Sequence, residues 1–130
     1  MQYIDLHRQY EYAKEKIDAR IKSVIERVAF IGGDEVKELS AQLAEYCGAK
    51  FCLTCANGTD ALTLALRCFG VRKGDAVFVP DFTFFASAEV AALEGATCVF
   101  VDIDKRTFNI DPEKLEEAIL RVRKEKKTDT

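Results

Sequence analysis

The sequence predicts an α/β fold, three layers built around a mostly parallel sheet, on three observations. From residue 50 onward, apolar runs of strand length alternate with longer runs of helix length. The strand runs "DAVFVP" and "TCVFVDID" are nearly continuous in apolar residues, as strands covered on both faces are. The helical runs between them are long enough to cross back over a sheet and lie on it.

Before residue 50 the texture is different, so residues 1–49 are assigned to an N-terminal helical segment and 50–130 to the start of an α/β domain. Residues 7–29 read as a helix, because Ile17, Ile21, Val24, Ile25 and Val28 recur at helical spacing with charges between them. Two glycines in "FIGGDE" interrupt it. A second helix starts near Asp34, carries Val36, Leu39, Leu43 and Tyr46 on one face, and stops at Gly48. "KFCLTC" follows as a short strand, and "GTDALTLALRCF" as a helix closed by Gly70. "DAVFVP" is the next strand, "FTFFASAEVAALEG" the next helix and "TCVFVDID" the third strand. Asp111-Pro112 then opens a last helix, with a capping carboxylate and a proline at the first helical position. Its tail, "RVRKEKKTDT", mixes in Glu125 and Asp129 and reads as a solvated helix end. Three strands leave an apolar sheet edge uncovered, so the chain is expected to be the front part of something larger.

Bulk properties narrow the function. With 130 residues, 48% hydrophobic and 32% charged, the chain has ordinary globular composition. A net charge of -3 supplies no general attraction to nucleic acid or an anionic membrane. No apolar run approaches the roughly 20 residues of a membrane span. "MQYIDLHRQY" has no signal-peptide core, which points to the cytoplasm. Five cysteines, mostly within apolar runs, suit buried reduced thiols better than a disulfide framework.

The stretch "FCLTCANGTDALTLAL" raises two incompatible possibilities. Cys52 and Cys55 form a C-x-x-C pair, but a zinc site needs about four ligands and His7 is the only histidine. A redox pair belongs at a helix N-terminus. Cys52 instead lies in the expected strand, and positions 52 and 55 point to opposite faces of it. Buried strand cysteines are the better account, and no metal is expected. The turn that follows is more informative. A strand running through "ANG" into a helix exposes backbone N–H groups at the positive end of the helix dipole. Gly58 permits positive φ and close approach of an anion, while Thr59 and Asp60 offer donors. The plain alternative is a strand-to-helix turn with an Asn-Gly bend and a capping threonine. Neither the Walker pattern nor G-x-G-x-x-G is present.

"VPDFTFF" places Thr83, Phe84 and Phe85 at the carboxyl end of the next strand, where open parallel sheets bind ligands. Phe84 could supply a flat face to an aromatic ring held by its phosphate at Thr59 and Asp60; core packing is the commoner use of such a side chain. The third strand ends in Asp102 and Asp104.

At these residues the chain resembles a known family. "IDLHRQY", "FIGGDEVKELSAQLAEYCGAK", "CANGTDALTLAL", "GDAVFVPDFTFFASAEV" and "VDIDKRTFNIDPEKLEEAI" follow, in order and at matching spacing, the front third of the DegT/StrS-type sugar aminotransferases. The resemblance implies the large domain of a fold-type-I transferase dependent on pyridoxal 5′-phosphate (PLP). It implies amino transfer, usually from glutamate, to a keto group of a nucleotide-linked sugar in surface-polysaccharide biosynthesis. The blocks look nearest to members acting on UDP-linked 3-keto amino sugar acids. It also implies a homodimer with the site at the interface. Thr59 and Asp60 match the positions whose backbone holds the cofactor phosphate, with Gly58 shaping the turn, and Phe84 matches the aromatic that stacks on the pyridine ring. Cys52 and Cys55 match no functional position. The family's catalytic lysine and the aspartate facing the pyridine nitrogen lie downstream of these blocks. Lys50, Lys73 and Lys105 do not match that lysine, so the 130 residues alone are expected to be inactive. Other outcomes stay open: a sugar dehydratase of the same family, a non-catalytic PLP-binding regulatory member, and a generic phosphate-binding α/β module.

Overall fold

A computed structural model describes residues 3–128. The chain forms two compact units, Met1–Thr54 and Cys55–Thr130.

In the first unit, α1 spans Leu6–Arg27 and α2 spans Asp34–Cys47. Asp5 caps α1 by accepting the Arg8 N–H at 3.0 Å. The helix ends at Val28, which takes the left-handed conformation (φ 54°, ψ 30°) and sends its N–H back to the last turn. Gly33 precedes α2, whose first turn carries Asp34 and Glu35, and left-handed Gly48 closes it where the sequence predicts a stop. Arg20 bonds both oxygens of Glu38 (2.7 and 3.1 Å) and Arg27 reaches Glu35, so α1 and α2 are tied by ion pairs. Neither helix buries a residue: the stripe of Ile17, Ile21, Ile25, Leu39 and Leu43 is open to solvent.

The second unit runs α3 (Gly58–Cys68), β1 (Ala76–Pro80), α4 (Ala86–Leu93), β2 (Thr97–Val101) and α5 (Pro112–Thr128). β1 and β2 pair in parallel, Ala76 opposite Thr97 through Pro80 opposite Val101, with α4 as the crossover. Strand alternation divides the layers. Val99 and Val101 pack with Ala118 of α5, together with Phe78, Leu115 and Val122. On the other face α4 lies against both strands and buries Ala86, Val90 and Ala91, and α3 packs on α4. The Cys98 thiol donates to the Ala88 carbonyl at 3.1 Å on that side. Asp111 caps α5 by accepting the Glu113 and Lys114 N–H groups, with Pro112 at the first position, as the Asp-Pro pair predicts.

Three sequence expectations are corrected. "KFCLTC" is not a strand: residues 51–55 are irregular, because no neighbouring strand among the described residues accepts its backbone bonds. The sheet therefore has two strands here rather than three. The cysteines are not buried: Cys47, Cys55 and Cys68 are exposed and Cys52 and Cys98 half-buried. Finally, α4 begins at Ala86 rather than Phe82, which leaves Phe82–Phe85 as a loop at the carboxyl end of β1.

Candidate functional site

The site is built from the start of α3 and the loop before α4. Asn57 is extended (φ -161°, ψ 173°), and its Oδ1 accepts the Asp60 N–H at 2.9 Å. Its Nδ2 donates to the Asp60 carboxylate at 3.1 Å, and its carbonyl accepts the Ala61 N–H at 3.2 Å. Asn57, not Thr59, is thus the helix cap. The signal was legible, since asparagine is among the preferred capping residues. The N–H groups of Gly58 and Thr59 find no acceptor among the described residues. They stand at the positive end of α3, where an anion is favoured.

Gly58 is not left-handed, contrary to one role expected of it. A β-carbon added there would meet nothing within 4 Å, so the space over the turn is open. An anion can therefore come up to the backbone N–H groups.

The other wall comes from Phe84. Gly58, Thr59, Ala61 and Leu62 of α3 share a cleft of about 480 Å³ with Phe84 and Ala86. Phe84 is 78% exposed, so its ring is not core packing. Thr83 and Ser87 join hydroxyls at 3.0 Å across the start of α4. Both helices begin at this cleft, and at their far ends Arg67 bonds Glu94 at 2.8 Å.

Asp60 lies apart, its N–H engaged by Asn57 and its side chain outside the cleft lining. Asp102 and Asp104 do not reach the cleft either. Asp102 accepts the N–H of its neighbour Ile103. Asp104 accepts the Arg106 and Thr107 N–H groups and the Thr107 hydroxyl, which hold its carboxyl below the usual range. It organises the turn that brings Ile103 opposite Ile110. A wider groove of about 830 Å³ beside β1, lined by Leu66, Val77, Phe78 and Phe108 among others, is mostly apolar, with Thr83 and Asn109 as its polar side chains. No cluster of three or more metal-binding side chains occurs among the described residues.

The model of the DegT/DnrJ/EryC1/StrS aminotransferase family matches residues 11–125. This chain belongs to that family. A UDP-2-acetamido-2-deoxy-3-oxo-D-glucuronate aminotransferase of Pseudomonas aeruginosa is 50% identical over 119 residues, 92% of this chain and 33% of that protein. A DegT DnrJ EryC1 StrS aminotransferase from Brucella abortus superposes with a TM-score of 0.90 at 46% identity, over 96% of this chain and 34% of its own. A GDP-4-keto-6-deoxy-D-mannose-3-dehydratase from E. coli with bound hydrated PLP matches at 32% identity and a TM-score of 0.69, over 75% and 27%. The chain spans about a third of the length of the curated relatives it matches most fully. The similarity to these solved structures makes the fold that of a fold-type-I α/β transferase.

Proposed function

We propose that Gly58 and Thr59 hold the phosphate of PLP while Phe84 stacks on its ring, within a family aminotransferase. The whole protein would move an amino group, from glutamate, to a keto group of a nucleotide-linked sugar. The observation that carries this is the convergence on one cleft of two helix-terminal N–H groups, unpaired among the described residues, and an exposed aromatic side chain.

The residues present fit the cofactor. The Gly58 and Thr59 N–H groups donate to phosphate oxygens, the Thr59 hydroxyl can add a third bond, and the open space over Gly58 admits them. Leu62 and Ala86 add apolar surface to the cleft beside Phe84. Asp60 joins the donor set if Asn57 releases its N–H. When bound, PLP supplies the electron sink that amino transfer requires. We further propose a cytoplasmic homodimer serving surface-polysaccharide synthesis, with residues 1–49 as a helical segment and 50–130 as the start of the cofactor domain. Likeness to the PLP-bound dehydratase favours a second reading, loss of a sugar hydroxyl in place of amino transfer.

Pyridoxamine 5′-phosphate, which has no aldehyde to react with surface lysines, is the test ligand. Phe84→Ala should weaken its binding about fivefold, equivalent to about 1 kcal/mol of aromatic contact. Equal affinity of wild type and variant would sink the ring-stacking assignment. In the whole protein, an amino sugar formed at the expense of glutamate marks the transferase, and a deoxygenated sugar marks the dehydratase.

A further inference from the structure

The C-x-x-C pair is absorbed by no metal or cofactor role, yet one of its thiols touches the phosphate turn. The Cys55 Sγ donates to the Asn57 carbonyl at 3.3 Å. That carbonyl also accepts the Ala61 N–H, while the Asn57 side chain holds Asp60 from both of its polar atoms. The residue carrying the cap is therefore fixed from two sides: by α3 ahead of it and by the thiol behind it. The peptide between Asn57 and Gly58 contains both the carbonyl that the thiol grips and the N–H of Gly58, a residue that lines the cleft. Fixing that carbonyl fixes the plane of the peptide, because the unit is rigid. The Gly58 N–H direction follows.

We infer that Cys55 is a positioning residue of the phosphate turn, acting through its S–H bond to the Asn57 carbonyl to aim the Gly58 N–H at the bound anion. This rests on the phosphate-turn reading above. Cys55 needs no contact with the ligand. A serine at the position keeps a donor near the same carbonyl, an alanine removes it, and neither changes the charge of the site.

The test compares pyridoxamine 5′-phosphate with pyridoxamine, which lacks the phosphate, on the full 130-residue chain and its Cys55→Ala and Cys55→Ser variants. The chain contains no tryptophan, so the fluorescence of the ligand itself reports binding. The expected result is a wild-type preference for the phosphorylated ligand that falls about fivefold in Cys55→Ala, with pyridoxamine affinity unchanged and the preference restored in Cys55→Ser. Full preference in Cys55→Ala overturns the inference and leaves the phosphate turn standing. Equal loss in both variants also overturns it, since the donor is then not what matters. Parallel loss for pyridoxamine in Cys55→Ala marks general damage to the domain and counts against it too. A wild type that does not prefer the phosphorylated ligand removes the phosphate turn itself, and the inference with it.

Discussion

Asn57→Ala is the substitution whose effect the structure defines most closely. The side chain satisfies the Asp60 N–H at 2.9 Å and returns a bond to the Asp60 carboxylate at 3.1 Å. Alanine leaves that N–H to water and removes the return bond. Losing a capping asparagine to alanine costs about 1 kcal/mol, and the exposed return bond adds little. In a domain the size of Cys55–Thr130, about 1 kcal/mol lowers Tm by about 5 °C. Glycine is the control. Asn57 is extended, which glycine adopts freely, and glycine is a tolerable cap, so Asn57→Gly should cost only about 0.3 kcal/mol. Thermal unfolding followed by circular dichroism at neutral pH gives both numbers. If Asn57→Ala melts within about 1 °C of wild type, or Asn57→Gly falls as far as Asn57→Ala, the capping argument is wrong.

Val28 is a β-branched residue held left-handed at the end of α1, so Val28→Gly should relieve strain and stabilise that turn by about 1 kcal/mol. Amide exchange at positions 28 and 29, whose N–H groups close the helix, should slow; faster exchange would contradict the strain argument. The Asp104 turn should be acid-sensitive. Hydrogen bonds from Thr107 and Arg106 depress the folded carboxyl, so its stabilisation is present above about pH 4 and is lost as pH falls through the lower folded value. Protection of the Arg106 and Thr107 amides, taken as exchange relative to the intrinsic rate at each pH, should fall as pH drops through that range in wild type, while Asp104→Asn should show no such step.

Local chemistry made part of this molecule legible. The Asp-Pro start of α5, the Gly48 stop and the strands at 76–80 and 97–101 follow from capping, glycine and apolar runs acting within a few residues. The segment at 51–55 was not legible, because an apolar run becomes a strand only when a neighbour completes its hydrogen bonds. Cysteine burial failed for a related reason: exposure depends on what packs over a side chain, and apolar neighbours in sequence do not show that. At the site, "ANGTDA" announced a helix start with free donors, but not which donors stay free. Asn57 takes the Asp60 N–H and leaves those of Gly58 and Thr59, a choice made by geometry. That Phe84 faces the same cleft depends on α3 packing against α4, a contact between elements far apart in sequence.

The Arg67–Glu94 bond has a consequence for selectivity. It ties α3 to α4 at the ends away from the cleft, while the cleft holds the turn proposed to face the phosphate at the start of one helix and Phe84 just before the other. Two packed helices joined at their far ends work as a caliper whose jaws are those two features. The gap is set by how α3 packs on α4 and by the short loop that carries Phe84 into α4. On the proposed reading of the cleft, such a device measures the span from a terminal anion to a flat ring, and it should reject ligands whose linker is one atom too long even when both of their ends are chemically right.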